Sequence, residues 1–252
     1  MNTLKAMSWN LFWGLGAPEH KLDLIKKAGK FWFSKPVESH IDSIINAITN
    51  ENPDILGVQE IIHNNKFTNL KYQTTEIEHM TGLNIAKFAK ERKIFGSEKG
   101  GNAIYTSLDK ISKGSLNLPY FLESRNIVFS KIKYDSSRIL VMNTHLSAHN
   151  INKLERVRQV RKLVKLVKSS KTPIILMGDF NCEPNSFEFK YLVKHSGLNP
   201  AINHNETFPT YNPSKIFDNI LVSKEFEIYN SGIIRTKHSD HFPVYVDLIL
   251  KK

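Results

Sequence analysis

The chain has 252 residues, of which 40% are hydrophobic and 15 are Phe. A sizeable core can therefore be buried, which excludes a disordered protein, and the single cysteine, Cys182, excludes an intramolecular disulfide framework and a cysteine-based zinc site. Lys and Arg total 35 against 24 acidic residues, a formal net charge of +11, which favours association with polyanions such as nucleic acid or an anionic membrane surface.

The N-terminal segment predicts a buried strand that ends near Asn10. Leu4 to Trp13 is mainly apolar and aromatic, and it breaks at Gly14. Asn is depleted in strands, so Asn10 is either a turn former or a polar group directed into a site. The segment lacks the apolar region of a signal peptide, and no apolar run reaches the roughly 20 residues that cross a membrane. We therefore expect a soluble cytoplasmic protein without a membrane span.

Residues 18–37 form a basic segment that ends in the aromatic triplet Phe31-Trp32-Phe33. Such a triplet caps a core more often than it stacks on bases or enters a membrane interface, so we expect it to pack. The next segment, from Glu38 to Asn50, predicts a helix that ends at Asn52-Pro53. Its apolar positions recur at helical spacing: Ile41, Ile44, Ile45 and Ile48.

The middle of the chain predicts several strands and one helix. Asp54 to Glu60 is an apolar strand with Glu60 at its exit, and the segment from Glu76 to about Ala86 predicts a helix. Arg125 lies at the entrance of one further strand, and Asn143 and His145 are carried by another. These further strands are Gly100 to Tyr105, Asn126 to Tyr134 and Arg138 to Leu146.

The clearest helix is predicted from Ile151 to Lys168, with one apolar face and one Lys- and Arg-rich face that we interpret as solvated. The run from Pro173 to Asn181 predicts a short buried strand that stops at Gly178 and exposes Asp179 and Asn181. On extended chain those two side chains point to one side, although Gly-Asp-x-Asn is equally typical of a turn. The later elements are a helix from Phe187 to His195, a strand from Lys215 to Ser223 that contains Asp218, and a closing strand from Val244 to Leu250.

Strands and helices mix along the chain without strict βαβ alternation, internal repeats or a low-complexity linker. This order favours an α/β sandwich that forms a single domain over residues 1–252. We expect a monomer without an obligate protein partner.

Polar side chains repeatedly follow an apolar run, and each would cost strand stability unless it were paired or placed at a rim. If they converge, they supply what phosphodiester hydrolysis needs. Oxygen ligands for Mg²⁺ would come from Glu60 with Asn10 and Asp240. The eight residues are Asn10, Glu60, His145, Asp179, Asn181, Asp218, Asp240 and His241.

The other members suit the remaining roles of such a site. Asp179 and Asn181 can orient and activate a water, and His145 and His241 can donate to phosphoryl oxygens as charge develops. Asp218 can hold one of the two imidazoles in the required tautomer. We expect Arg125, as a bidentate clamp, and Asn143 to bind the substrate phosphate.

Each residue also has a structural interpretation. A lone His145 beside a strand is usually a satisfied core or surface histidine, Asp240 and His241 before Pro243 suit a polar turn, and Asp218 could cap a neighbouring backbone. The structural interpretation is favoured for each residue alone, whereas the set together favours a site.

Seven short motifs, taken in their order and spacing across the whole chain, resemble the endonuclease/exonuclease/phosphatase superfamily, which has the fold of DNase I. The resemblance implies a four-layered α/β sandwich of two packed, mostly antiparallel sheets flanked by helices, with a site at one rim. It also implies cleavage of phosphate esters that depends on Mg²⁺, for which Mn²⁺ can substitute. The motifs are Ser8-Trp-Asn10, Val58-Gln-Glu60, Gly101-Asn-Ala-Ile104, Asn143-Thr-His-Leu146, Gly178-Asp-Phe-Asn181, Phe217-Asp-Asn-Ile-Leu-Val-Ser223 and Ser239-Asp-His-Phe-Pro243.

The leading hypothesis for function is a Mg²⁺-dependent nuclease that acts on DNA, or alternatively on RNA. The family resemblance supports the hydrolysis, and the net charge of +11 supports a polyanionic substrate. His145 occupies a position where abasic-site endonucleases carry Tyr, so it is more similar to DNase I, neutral sphingomyelinases and tyrosyl-DNA phosphodiesterase 2. Two alternatives stay open: a phosphodiesterase or phosphatase for lipid head groups, small molecules or 5′-tyrosyl ends, since fold does not fix substrate, and a basic nucleic-acid-binding module with an inactive site.

Overall fold

The computed structural model describes residues 3–32, 39–63, 72–91, 100–121, 124–148 and 153–251. Twelve strands within these ranges form two six-stranded sheets. The first sheet contains β1 (Leu4–Asn10), β2 (Ile55–Ile61), β3 (Asn84–Lys90), β4 (Gly101–Thr106), β11 (Phe226–Ile233) and β12 (Val244–Leu250). The second contains β5 (Lys110–Asn117), β6 (Asn126–Tyr134), β7 (Ser137–His145), β8 (Ile174–Asp179), β9 (Asn199–Pro200) and β10 (Asp218–Val222).

Each sheet is mixed, with one parallel pair near its centre and antiparallel pairs elsewhere. The strand orders are β11-β12-β1-β2-β4-β3 and β5-β6-β7-β8-β10-β9. The parallel pairs are β1 with β2 and β7 with β8. Because parallel strands end at the same edge, the C-terminal ends of these four strands can meet at one rim of the sandwich.

Helices cover the outer faces of both sheets. On the first sheet these are α2 (Ile41–Glu51) and α3 (Gln73–Thr81), and on the second they are α4 (Lys153–Ser169) and α5 (Phe187–Ser196), whereas α1 (Lys21–Trp32) packs against the segment that follows β1. The isoleucines of α2 pack with Trp9 and Val58 on the first sheet, and Val160 and Leu163 of α4 pack with Leu176 on the second. A third cluster fills the space between the sheets. The four-layered α/β sandwich is therefore confirmed.

Alternation along the strands explains why the site follows the inner core. On β7, Val141 lies in the core between the sheets, and Asn143 and His145 come next on the same side of the strand. On β8, Met177 lies in that core and Asp179 follows it in the same way. The last inward position of each strand therefore lies where the two sheets stop covering one another.

Asn143 lies one step deeper than His145, and its side-chain contacts join the two sheets and do not support the expectation that it binds phosphate. Its Nδ2 donates to the Val58 carbonyl (2.8 Å) and to the Ala103 carbonyl (2.9 Å), and its Oδ1 accepts from Gln59 Nε2 (2.6 Å). Gln59 Nε2 also donates to Ser8 Oγ (3.1 Å). The side chain of Asn143 is fully buried, and both its amide hydrogens are used to tie the second sheet to the first.

The predicted helix from Glu76 to Ala86 ends early. Helix α3 stops at Thr81 because Gly82 follows with a left-handed φ of 72°, and Ala86 lies in β3, a strand at the edge of the first sheet. Strands β5 and β11 and helix α1 also went unpredicted. Strand β5, at the edge of the second sheet, is exposed along nearly its whole length, so it has no apolar alternation to detect.

Two predictions concern residues that lie partly outside the described ranges. Residues 33–38 and the side chains of Phe31 and Trp32 lie outside the described residues, as does Ile151 at the start of the predicted fourth helix. None of the described helices combines the length and the apolar character needed to cross a lipid bilayer.

Candidate active site

Asp179 lies at the centre of a cluster at the rim where β1, β7 and β8 end. Its Oδ2 accepts from Asn10 Nδ2 of the opposite sheet at 3.1 Å. The Nε2 atoms of His145 and His241 lie 3.5 and 3.8 Å from the same oxygen. Residues 10, 145, 179 and 241 are thus brought together by contacts that span 231 positions of sequence.

Glu60 reaches this rim through a bulge in β2. Leu56 and Val58 point outward toward α2, so simple alternation would send Glu60 outward as well. Instead the pairing of β2 with β4 shifts register between Val58 and Ile61, and Glu60 has a left-handed φ of 53°. Bulges of this kind redirect a side chain, and a strained non-glycine residue is typical of functional sites.

Asp179 and Asn181 are joined by a turn, not by extended chain. Strand β8 ends at Asp179, the Asn181 amide N–H donates to Asp179 Oδ1 (2.9 Å), and Asn181 has a φ of 48°. Its Nδ2 donates to the Leu146 carbonyl at 3.0 Å, beside His145. The turn interpretation of Gly-Asp-x-Asn and the site interpretation therefore describe the same local structure.

Gly178 precedes this turn because no side chain fits there. Its φ is +146°, and a Cβ atom would lie 1.9 Å from the Thr144 carbonyl oxygen on the neighbouring strand. The glycine lets β8 approach β7 closely at the position where both strands deliver their functional side chains.

Asp218 holds the imidazole of His241. Asp218 is fully buried, and its Oδ2 lies 2.8 Å from His241 Nδ1. A carboxylate can only accept, so Nδ1 carries a proton and Nε2 faces Asp179. The ring also packs at 4.6 Å from Phe208, and these contacts fix its orientation. The imidazole that Asp218 orients is thus the one on the adjacent loop, His241.

His145 is held from the opposite side by a cation. Its Nδ1 lies 2.9 Å from Arg125 Nη1, which also donates to Glu91 Oε2 at 2.6 Å. A guanidinium only donates, so Nδ1 accepts and a neutral His145 carries its proton on Nε2, toward Asp179. The structure gives Arg125 this contact with His145, and its expected clamp on a phosphate stays a prediction.

Two sets of residues around the site were missed by sequence reasoning. Glu91 follows β3 in an unremarkable polar stretch, and its contact with Arg125 connects it to the site. Buried side chains of α4 fasten the loop after His145: Glu155 accepts from Ser147 Oγ, and Gln159 Nε2 donates to the same hydroxyl at 2.8 Å. Both are buried together with apolar residues of α4, and the apolar periodicity that predicted the helix gave no signal for them.

Desolvation and mutual repulsion raise the pKa values of the acidic residues at this rim. The pKa of Asp179 is raised to about 7 and that of Asp240 to about 6, mainly by burial, with a smaller contribution from the charge of Asp218. Glu60 keeps partial exposure, yet burial, followed by the charge of Asp240, raises the pKa of its carboxyl well above the usual range. The site therefore carries more negative charge than the neighbouring cations neutralise.

The pKa of His241 is raised as well, but against the effect of burial and by the neighbouring carboxylates. Burial lowers the pKa of His241, but the carboxylates of Asp218, Asp179 and Asp240 together raise it well above its ordinary value. A protonated His241 held by Asp218 is the expected state at neutral pH.

The chemistry of the donor set fits a hard divalent cation. Oxygen ligands and a surplus of buried negative charge are what such a cation requires, and Glu60, Asp240 and the Asn10 amide oxygen provide both. Ligand atoms of Asp179, Asp218 and His241 also lie within 4.8 Å of one another. We favour the first set, because the Asp218–His241 hydrogen bond and the protonated imidazole leave no lone pair on His241 for a metal.

A sequence model described as "Endonuclease/Exonuclease/phosphatase family" matches residues 7–241 of the chain. No curated protein matches the chain at a significant level. The match covers every residue of the cluster described above.

Solved structures of similar fold cover nearly the whole chain. A mannosyl-6-phosphatase from Bacteroides thetaiotaomicron is 22% identical, with a TM-score of 0.70 and coverage of 98% of this chain and 100% of that one. The human Nocturnin catalytic domain with bound sulfate is 17% identical, with a TM-score of 0.73 and coverage of 99% and 94%. A humanized TDP2 of D. rerio is 16% identical, with a TM-score of 0.70 and coverage of 98% and 99%. At these identities the likeness establishes the fold alone.

Proposed function

We propose a function from the premise that the chain belongs to the endonuclease/exonuclease/phosphatase family, whose members hydrolyse phosphoric esters. The proposal is a Mg²⁺-dependent phosphodiesterase that cleaves nucleic acid. The observation that carries the hydrolytic part is the contact of Asn10, His145 and His241 with the carboxylate of Asp179 at one rim.

Glu60, Asp240 and Asn10 would hold the divalent cation. When bound, the cation polarises a phosphoryl oxygen and neutralises developing charge. The carboxylates of Glu60 and Asp240 have raised pKa values in its absence, so they gain most from a nearby positive charge.

Asp179 is the candidate general base. A pKa of about 7 matches a group that removes a proton from water at neutral pH. In the proposed step the water oxygen attacks phosphorus, its proton passes to Asp179, and the bond from phosphorus to the leaving oxygen breaks. The leaving oxygen then takes a proton from solvent. Asn181, fixed by the turn to Asp179, would orient the attacking water.

His145 and His241 would stabilise the charge that develops on the phosphoryl oxygens. Each directs Nε2 at Asp179 from a different direction, and each is held at Nδ1 by a different partner. Donors fixed before reaction need no reorganisation when charge appears, which is the main source of such stabilisation.

The net charge of +11 supports nucleic acid as the substrate, because a polyanion is attracted over a long range by such an excess. Phosphoesters on lipid head groups or on sugars are the competing substrates within the same fold.

A substrate panel tests the proposal. Purified protein would be incubated with single-stranded, duplex and abasic oligonucleotides, a 5′-tyrosyl oligonucleotide, sphingomyelin vesicles and mannose 6-phosphate, each with Mg²⁺ and with EDTA. We expect cleavage of oligonucleotides with Mg²⁺ and none with EDTA. Turnover of the lipid or the sugar phosphate, without turnover of any oligonucleotide, would contradict it.

A further inference from the structure

The exposed surface of α4 is almost entirely cationic. Of its eight exposed positions, Leu154 and Ser169 are the only ones that are not Lys or Arg. The six cations are Lys153, Arg158, Arg161, Lys162, Lys165 and Lys168. The helix contains one acidic residue, Glu155, which is buried and bonded to Ser147, so no acid on α4 offsets this charge at the surface.

Helix α5 extends the same surface. It packs beside α4 in the core of that layer, and its exposed positions are Phe187, Lys190 and Lys194. Its one acidic residue, Glu188, is buried and paired with Arg156. Within the described part of the chain, no carboxylate lies at ion-pair distance from Lys162, Lys165 or Lys168. We call the exposed side chains of α4 and α5 the basic face.

Aromatic rings lie among these cations. The guanidinium of Arg158 stacks 4.8 Å from the ring centre of Phe121, and that of Arg161 lies 5.8 Å from the ring of Tyr191. Phe121 is 67% exposed and Phe187 is 55% exposed. Exposed rings together with cations are the composition of a single-strand binding surface, where rings stack on bases and cations follow the backbone.

The basic face begins beside the active site. Glu155, in the first turn of α4, accepts from Ser147 Oγ, and Ser147 lies two residues beyond His145. The Phe121 amide N–H donates to the same carboxylate at 2.7 Å. From there α4 runs back to the loop that precedes β8, whose other end carries Asp179. The cations therefore extend from the rim of the site along the side of the sandwich.

We infer that the basic face binds the backbone of a single-stranded nucleic acid beyond the phosphate that enters the active site. This inference deepens the proposed function and rests on it for the identity of the polymer. The six cations of α4 span fifteen helical steps of about 1.5 Å each, or roughly one cation per 4 Å. The phosphates of a strand that is stacked as in a duplex follow one another at about 3.4 Å along its axis, so the linear charge density of such a stacked strand is similar.

The geometry favours a flexible polymer over a bilayer or a duplex. The basic face lies on the outside of the helical layer, whereas the site opens at the ends of the strands. A planar membrane resting on α4 and α5 would pass beside the site and not over it. A duplex, stiff over about 150 base pairs, could not turn from the rim onto a helix about 25 Å long. A single strand can turn.

The test compares two triple variants with equal charge. One carries Lys162→Gln, Lys165→Gln and Lys168→Gln on α4. The control carries Lys21→Gln, Lys26→Gln and Lys30→Gln on α1. All six lysines are exposed, and Gln has a helix propensity close to that of Lys. Binding of a fluorescent 20-nucleotide single strand would be measured by anisotropy in EDTA, which prevents turnover, over a range of salt concentrations.

We expect the α4 variant to bind about 10- to 100-fold more weakly at 0.1 M salt, with a salt slope shallower by about 2, since each lost phosphate contact removes about 0.7 from the slope for single strands. The α1 control should stay within about threefold of wild type. Equal weakening of both variants would overturn the inference, as would wild-type binding to phosphatidylserine vesicles but not to the oligonucleotide.

A second measurement separates this inference from the proposed function. Hydrolysis of bis(p-nitrophenyl) phosphate, which is too small to reach α4, should be unchanged in both triple variants. If wild type hydrolyses neither this ester nor the oligonucleotide, yet the α4 variant alone loses binding, the basic face stands and the proposed function fails. If hydrolysis persists and the α4 variant binds like wild type, the basic face fails and the proposed function stands.

Discussion

Asn143 and His145, two buried polar residues of strand β7 that lie two positions apart, have different roles. Asn143 belongs to a neutral amide cluster with Gln59 and Ser8, and its hydrogen bonds of 2.6–2.9 Å join the two sheets. His145 belongs to the rim, where acids and imidazoles crowd Asp179 and the acids have raised pKa values. The contacts of Asn143 in this neutral cluster stabilise the fold, whereas a rim with surplus negative charge costs stability until a cation binds.

The largest effect is expected from Asp218→Asn. Asparagine keeps the shape but can no longer hold His241 in its protonated state, so we expect the hydrolytic rate to fall by about 10³- to 10⁴-fold, as removal of such an orienting carboxylate does in triad enzymes. The unfolding free energy should change by less than about 1 kcal/mol, because a buried negative charge is lost with the hydrogen bond. Steady-state rates and chemical denaturation check both parts. A variant that retains activity would remove Asp218 from the mechanism.

Two substitutions on β7 test the comparison directly. Asn143→Leu should lower the unfolding free energy by about 2–4 kcal/mol, since it leaves two carbonyls and the Gln59 amide without their partner. The rate per folded molecule should stay within about threefold of wild type.

His145→Asn is the matched variant, and it should lower the rate by about 100-fold while the unfolding free energy changes by less than about 1 kcal/mol. The comparison is broken if the two variants exchange their effects, or if Asn143→Leu inactivates a protein that is still folded.

The pH dependence of stability should reveal the surplus charge. The pKa values of Asp179 and Asp240 are raised in the folded protein to about 7 and about 6. The folded protein therefore binds more protons than the unfolded chain between roughly pH 4 and pH 7, and stability must fall as pH rises through that window. We expect a loss of about 1–2 kcal/mol in EDTA, after allowance for relaxation of the buried site.

Mg²⁺ should reverse this trend, and its stabilisation should grow from pH 5 to pH 8 as the carboxylates lose their protons. Thermal denaturation with Mg²⁺ and with EDTA measures both curves. Asp240→Asn should flatten them, and a metal effect that is the same at every pH would argue against the assigned ligands.

The smallest effect is expected at the loop that carries His241. Ser239 Oγ donates to the Asn10 carbonyl at 2.7 Å and accepts from the His241 amide, so Ser239→Ala should cost about 1 kcal/mol and lower the rate several-fold. Ser231 lies on β11, and Ser231→Ala removes a similar hydrogen bond, which Ser231 Oγ donates to the Ala201 carbonyl at 2.9 Å. This control should cost similar stability with no change in rate. Equal rates for the two variants would show that the loop needs no such support.

The sequence predicted the elements whose apolar residues alternate or recur at helical spacing. Strands β6 and β12 have their predicted bounds, and α2 buries the four isoleucines that predicted it. Edge strand β5 and strand β3 were not predicted, because neither has a regular apolar alternation. The end of α3 depends on Gly82, which has a left-handed conformation. The prediction followed the apolar pattern beyond this glycine and therefore placed the end of the helix too late.

The site was predicted as a set of polar strand ends, and the structure brings Asn10, His145, Asp179 and His241 into contact. The sequence pattern could not show how deeply each polar residue would be buried between the two sheets. Asn143 and His145 follow apolar residues in the same way, and only the position where the sheets stop covering one another separates an inter-sheet tie from a rim residue. Nor could it show that a bulge turns Glu60 inward, or that Glu91 lies behind Arg125, since both depend on pairing between distant strands.

The most direct test of the central claim is the single-turnover rate of Asp179→Asn with Mg²⁺, on whichever ester of the panel the wild type hydrolyses fastest. If the strand ends form one hydrolytic site with Asp179 as its base, the rate falls by at least about 10³-fold while the melting temperature stays within a few degrees of wild type. A folded Asp179→Asn protein that hydrolyses the ester within tenfold of the wild-type rate would contradict the account.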